Sequence, residues 1–277
     1  MEPVSAIGRV VIAGLGLMGG SVAMAVRRSL PGVSIAAWDD EAVLEEGLSR
    51  GVIDATMRAE DLQPGDLLVL AAPPIGSLDV LDSLRALPDG VIITDVVSTK
   101  RVIVEAAASK ALPFVGGHPM AGSERAGLAH ASASLFDGRR WFLVDIGAGD
   151  AVNDAVEAFV RAIGARPEWI EPVEHDRLMA ALSHLPQVAA SALMSVSGRL
   201  AGISNLDLAG AGLRDTTRLA GSDAEMWAQI AASNAGELSK AVRLLREELE
   251  RVERALDAAE PLNDFFARGR EWRSKVL

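Results

Sequence analysis

The chain has 277 residues, 49% apolar and 23% charged, which is too long for one small module and excludes a disordered or fibrous polymer. It has no cysteine, which excludes a thiolate nucleophile, an iron–sulfur cluster and a cysteine-ligated zinc, and no metal site is expected; His118, His130, His175 and His184 are its whole supply of imidazole. The net charge of −11, from 27 Lys+Arg against 38 Asp+Glu, argues against non-specific binding to nucleic acid or to an anionic membrane.

Arg9 is followed by seventeen uncharged residues, Val10–Val26, that imitate a signal peptide down to an Ala23-Met24-Ala25 triplet. Gly14, Gly16, Gly19 and Gly20 break the run and make it a poor membrane helix, and the rest of the chain reads as free of long apolar stretches, so a soluble, cytoplasmic protein is expected. From Arg9 to about Trp169, β-rich runs alternate with helical patterns. The runs are Val10–Ala13, Val33–Trp38, Leu67–Ala71, Val91–Thr94, Phe114–Val115 and Trp141–Val144; the helices are Ser21–Ser29, Glu41–Arg50, Ser77–Leu87 and Thr99–Lys110. This alternation predicts an α/β domain over residues 1–170, a doubly wound, mostly parallel sheet, with Pro73-Pro74, Pro88-Asp89-Gly90 and Gly116-Gly117 as punctuation.

After Glu171 the strand-like runs stop, and residues 171–277 are expected to form an all-helical domain. Leu178, Leu182, Leu185, Ala189, Leu193, Val196 and Leu200 recur at steps of 3 or 4, which predicts a helix buried nearly all round from His175 to Leu200, kinked at Pro186. Leu238, Val242, Leu245, Leu249, Val252 and Leu256 form a second stripe, spaced 4, 3, 4, 3, 4. So much apolar face exceeds what one small helical domain covers, and a homodimer through this domain is expected.

The segment Gly14-Leu15-Gly16-Leu17-Met18-Gly19 directly follows the first run and opens the first helix. A G-x-G-x-x-G turn there is the Rossmann-like dinucleotide site: glycines permit the tight bend and the close approach of a pyrophosphate, and the helix N-terminus supplies free N–H groups. Asp39 ends the second run twenty residues after Gly19, where a carboxylate binds ribose hydroxyls and repels a 2′-phosphate, so NAD is expected over NADP. Ala72 and Pro73 close the run after Leu67 on the nicotinamide side.

Two further clusters lie past strand ends, Asp95-Val96-Val97-Ser98-Thr99-Lys100 and Gly117-His118-Pro119-Met120-Ala121-Gly122-Ser123-Glu124; a third, Gly212-Leu213-Arg214-Asp215-Thr216-Thr217-Arg218, lies in the helical half with Trp227 beyond it. Together they resemble the prephenate/arogenate dehydrogenase family over almost the whole chain, in a short form with no extension for a mutase or regulatory domain. The resemblance implies NAD-dependent oxidative decarboxylation of a small dicarboxylate, prephenate or arogenate, to 4-hydroxyphenylpyruvate or tyrosine.

His118, the one imidazole in a strand-end loop beside the cofactor, suits a base near neutral pH, and Ser98 is placed to bridge the substrate hydroxyl and His118 or to cap the helix after Thr99, two roles that do not exclude each other. The resemblance makes Arg218 the substrate-carboxylate anchor, with Asp215 nearby as an alternative ion-pair partner. It sets Glu124 and Asp176 to pair with Arg218 at the mouth, and Trp227 to cover the site. His184 and Gln187 share a helix face toward the substrate side chain; Gln187 stands where prephenate-specific relatives often carry histidine, which leaves prephenate against arogenate open. His175 and His184 read as satisfied core residues, and His130 as an exposed loop residue. Other readings are a dehydrogenase of 4-amino-4-deoxyprephenate, a β-hydroxyacid dehydrogenase, whose helix lysine has no counterpart motif at Lys240 or Lys275, and a non-catalytic NAD sensor with no need of Ser98, His118 and Arg218 together.

Overall fold

Residues 7–122 and 125–276 are described in the computed structural model. The first half runs β1 (Arg9–Ala13), α1 (Leu17–Ser29), β2 (Ser34–Trp38), α2 (Glu41–Ser49), β3 (Ala55–Thr56), β4 (Asp66–Leu70), α3 (Pro74–Ser83), β5 (Ile92–Asp95), α4 (Arg101–Ser109), β6 (Phe114–Pro119), β7 (Arg140–Asp145), α5 (Asp150–Ala162) and β8 (Arg166–Trp169). The strands form one sheet in the order β3-β2-β1-β4-β5-β6-β7-β8, parallel except for the antiparallel pairing of β6 with β7. Strand order reverses between β1 and β4, and the glycine-rich turn lies at that crevice, where doubly wound sheets bind ligands.

Alternation of side chains covers both faces. Val10 and Ile12 of β1 pack with Val22 and Val26 of α1 on one side, while Val11 and Ala13 pack with Leu81 of α3 and Ile103 of α4 on the other. Pro74 starts α3 at its first position, where a missing N–H costs nothing, so the Pro73-Pro74 punctuation marks a helix start and not a loop.

The second half is helical: α6 (Pro172–Met179), a π-helical turn (Ala180–His184), α7 (Leu185–Ala201), α8 (Ala211–Thr216), a 3₁₀ turn (Arg218–Gly221), α9 (Ala224–Ser233), α10 (Ala235–Asp257) and α11 (Asn263–Arg273). The irregularity in the first long helix is this π turn; Pro186 sits harmlessly in the first turn of α7. The expectation that this helix is buried all round fails: Leu182 is 69% and Leu200 84% exposed. Its apolar pattern exceeds what the chain itself covers. The segment Pro172–Ala201 is long and apolar enough by length and composition to cross a membrane, contrary to the reading of the chain as lacking such a stretch. The stripe on α10 is likewise open, with Leu238 buried but Leu249 and Leu256 exposed.

Candidate active site

The cofactor turn is built from glycine for steric reasons. Gly14 has φ +99°, and a Cβ there would lie 2.5 Å from the Ala72 main-chain nitrogen, so β1 and β4 close together only around glycine. A Cβ on Gly19 would lie 1.9 Å from the Gly14 carbonyl oxygen, whereas one on Gly16 would project into open space. That space, in front of the N-terminus of the 13-residue α1, is where a pyrophosphate fits. Leu15 is fully buried and its N–H donates to Asp39 Oδ2 at 2.5 Å; the Asp40 N–H donates to Oδ1 at 2.7 Å. The Asp39 carboxylate is thus locked on the rim of a cavity of about 740 Å³ that Gly14, Gly16, Trp38, Ala72 and Pro73 also line. Leu17 and Met18 begin α1 beside it. These residues fit a dinucleotide.

His118 lies within β6, opposite Phe142 of β7, and not in a loop past the strand end. Pairing with β7 extends the strand through Gly116-Gly117, which therefore does not punctuate it. Glycine is required at 117 because a Cβ would stand 2.2 Å from the Asp95 carbonyl oxygen and 2.9 Å from the Trp141 indole nitrogen. Behind His118, Lys100 is fully buried, with Nζ donating to Asp95 Oδ2 and, at 2.6 Å, to the Gly117 carbonyl. Asp95 Oδ1 in turn accepts the Gly117 N–H at 2.8 Å. Burial pushes Asp95 up and Lys100 down, and each opposes the shift of the other.

The other side of His118 comes from the helical half. His118 Nδ1 lies 2.8 Å from His175 Nε2, and His175 Nδ1 lies 2.8 Å from Asp176 Oδ1. Burial, the neighbouring His175 and Lys100 hold the His118 imidazole well below its ordinary value, so it is neutral at neutral pH. Burial also lowers His175, against the raising effect of Asp176. For Asp176, burial works upward, but the bonds from His175 and from the Lys100 and Arg101 amides outweigh it and hold the carboxylate below its ordinary range.

Asp176 corrects a sequence expectation. It is fully buried, not at the mouth, and its oxygens accept the Lys100 N–H at 2.7 Å and the Arg101 N–H at 3.0 Å, so it caps α4. Ser98 is correspondingly not the cap: it is half-buried in the loop between β5 and α4. Glu124 lies outside the described residues. Arg218 is exposed at the start of its 3₁₀ turn, and Asp215 is exposed on α8.

His184 and Gln187 are buried together in the helical half, at 1% and 6% exposure. Asn234 Nδ2 donates to the Asp176 carbonyl at 2.7 Å and lies 3.3 Å from His184 Nδ1, which makes Nδ1 the acceptor and puts the hydrogen on Nε2. That Nε2 has no partner among the described residues. Burial pulls His184 down to about 4, with its ring edge-on to half-buried Trp227 at 6.0 Å. Gln187 Nε2 donates to the Leu219 carbonyl at 2.8 Å, so its amide fastens the turn that carries Arg218. His130 is exposed at the end of a 3₁₀ turn. Sequence reading missed Asn234, and it named Asp95 and Lys100 as the ends of one cluster without pairing them.

Two family models match: prephenate dehydrogenase, nucleotide-binding domain, over residues 22–168, and prephenate dehydrogenase, dimerization domain, over residues 171–267. The chain is 30% identical to a prephenate dehydrogenase of Lactococcus lactis over 279 residues, covering 97% of this chain and 77% of that one. Among solved structures it is similar to prephenate dehydrogenase from A. aeolicus in complex with hydroxyphenyl propionate and NAD+, with a TM-score of 0.88, 26% identity and coverage of 98% and 99%. It is also similar to Synechocystis arogenate dehydrogenase, with a TM-score of 0.81, 25% identity and coverage of 97% and 100%.

Proposed function

The chain belongs to the prephenate dehydrogenase family, and we propose that it joins a nucleotide-binding domain, residues 1–170, to a helical domain, residues 171–277, with the chemistry at their junction. It is an NAD-dependent oxidoreductase that dehydrogenates prephenate or arogenate. The observation that carries the assignment of roles is the buried His118 of β6, joined at 2.8 Å to His175 of the helical half.

NAD, when bound, would supply the acceptor for the hydride that leaves C4 of the substrate ring. Gly14, Gly16 and the amides opening α1 would hold its pyrophosphate and Asp39 its ribose, with Ala72 and Pro73 on the nicotinamide side. His118 takes the C4 hydroxyl proton, with Ser98 bridging hydroxyl and imidazole. As the ring carboxylate leaves as CO2, its bonding pair enters the ring and aromatises it to a phenolate, to which His118 returns the proton. The proton is borrowed and no net acid is formed.

Arg218 holds a substrate carboxylate, presented by the turn that Gln187 fastens; Asp215 and Glu124 flank it, and Trp227 covers the site. The Gln187 amide is bound to protein and the His184 Nε2 is buried, so neither side chain presents a free polar atom that would tell prephenate from arogenate. The open apolar faces of α7 and α10 are the seam of a homodimer, in agreement with the description of the matched family model. We place the protein in the cytoplasm, with no nucleic-acid or membrane partner.

The test is NADH formation from NAD with prephenate and with arogenate, side by side. At least one of the two is expected to give NADH, and His118→Asn to abolish turnover while NAD still binds. No NADH from either compound, with NAD bound, would sink the assignment.

A further inference from the structure

The row His118, His175, Asp176 fixes the position of each proton. Asp176 Oδ1 only accepts, so His175 Nδ1 carries its hydrogen; neutral His175 then presents a bare Nε2, which accepts the hydrogen on His118 Nδ1. The lone pair of His118 is thereby left on Nε2, the atom free to meet a substrate. We propose that His175 and Asp176 are positioning residues that act through His118, setting its tautomer and stabilising the imidazolium that forms while it holds the substrate proton. This rests on the reading of His118 as the base.

Among the described residues, the other groups that bear on His118 oppose or ignore that imidazolium. Lys100, leading into α4, repels it and is tied to Asp95 of β5; His184 of the π turn adds a second neighbour unfavourable to charge; Phe142 of β7 offers no charge. Arg101, 3.8 Å from Asp176 through Nε, faces the far side of that carboxylate. Asp176 is the carboxylate connected to His118 by hydrogen bonds through an imidazole. It is kept ionised by the two amides at the start of α4, so it does not need to be protonated to serve. Since His175 and Asp176 stand on α6 and His118 on β6, the base is completed only by docking one half of the chain on the other.

The test compares wild type with Asp176→Asn, His175→Gln and His175→Ala by kcat and kcat/KM against pH, and by ¹⁵N NMR of the His118 ring in the enzyme without substrate. His175→Gln leaves the cap on α4 intact, so it reports even if Asp176→Asn folds poorly. Wild-type His118 is expected to carry its hydrogen on Nδ1. Asp176→Asn is expected to lower kcat by about 10²–10⁴-fold and to move the acid limb of the profile to lower pH, because a less stabilised imidazolium is a stronger acid. His175→Gln, whose Oε1 can accept from His118 Nδ1, is expected to retain more activity than His175→Ala.

A wild-type hydrogen on Nε2 would overturn the proposal, as would an unmoved acid limb in Asp176→Asn or equal losses in the Gln and Ala variants. If wild type made no NADH at all, the reading of His118 as base would fall; if wild type were active and His118→Asn dead while the His175 and Asp176 variants stayed within threefold of wild type, only the relay would fall.

Discussion

His184 makes the stability of this protein depend on acid in a way that can be isolated. Burial lowers it from 6.5 to about 4, so between those values the unfolded chain binds a proton that the folded chain does not. The sign follows from that difference: the contribution is fully present above pH 6.5 and is lost as pH falls toward 4. A gap of about 2.5 pH units at 1.36 kcal/mol each amounts to roughly 3 kcal/mol, of which about 2.4 kcal/mol is lost between pH 7 and pH 4.5. His184→Gln removes the titration and keeps a polar side chain beside Asn234. Urea unfolding of wild type and variant at pH 7 and pH 4.5 gives the double difference, in which acid effects shared by both proteins, including those of His118 and His175, cancel. Wild type is expected to lose about 2–3 kcal/mol more than His184→Gln over this interval. A double difference below about 0.5 kcal/mol would refute the reasoning, because it would mean that His184 titrates in the folded chain as it does in water.

Arg218→Ala is expected to raise KM for the acid substrate by about 10–100-fold with a smaller change in kcat, since a charge-assisted contact is worth about 1.5–3 kcal/mol; an unchanged KM would make Arg218 structural. Gly117→Ala drives a methyl group into the Asp95 carbonyl and is expected to destabilise the fold by about 3 kcal/mol or more, read as a lower urea midpoint. Leu200→Asp, on the open face of α7, is expected to shift the protein from dimer to monomer by light scattering and to leave the monomer's secondary structure intact.

The nucleotide-binding half was legible because its signals are local. Strand runs, a glycine turn and Asp39 follow one another within forty residues, and each has a steric or electrostatic reason that a spacing reveals. His118 stood out in the sequence by its rarity and its setting, although its place inside β6 did not, because antiparallel pairing with β7 is a long-range event. Asp176 was misplaced at the mouth for a similar reason. An acidic residue reads as surface unless the two amides it caps, 75 and 76 positions earlier in the chain, are known to meet it. The helix from His175 to Leu200 shows a further limit: periodic leucines declare an apolar face, and nothing in the period says whether the chain's own core or a second copy covers it.

The π-helical turn at Ala180–His184 has a geometric consequence. Each residue of an α-helix advances the chain by about 100°, so a turn that holds one residue more than an α-helical turn rotates everything after it relative to everything before it. Here His175 and Asp176 lie before the turn, while Gln187 and the outward leucines of α7 lie after it. Deleting one residue within 180–184 would let the helix run straight through and wheel Gln187 and Leu200 together away from their present azimuth. The register of this single turn therefore sets, in one step, which side of α7 looks into the chemistry and which side looks out.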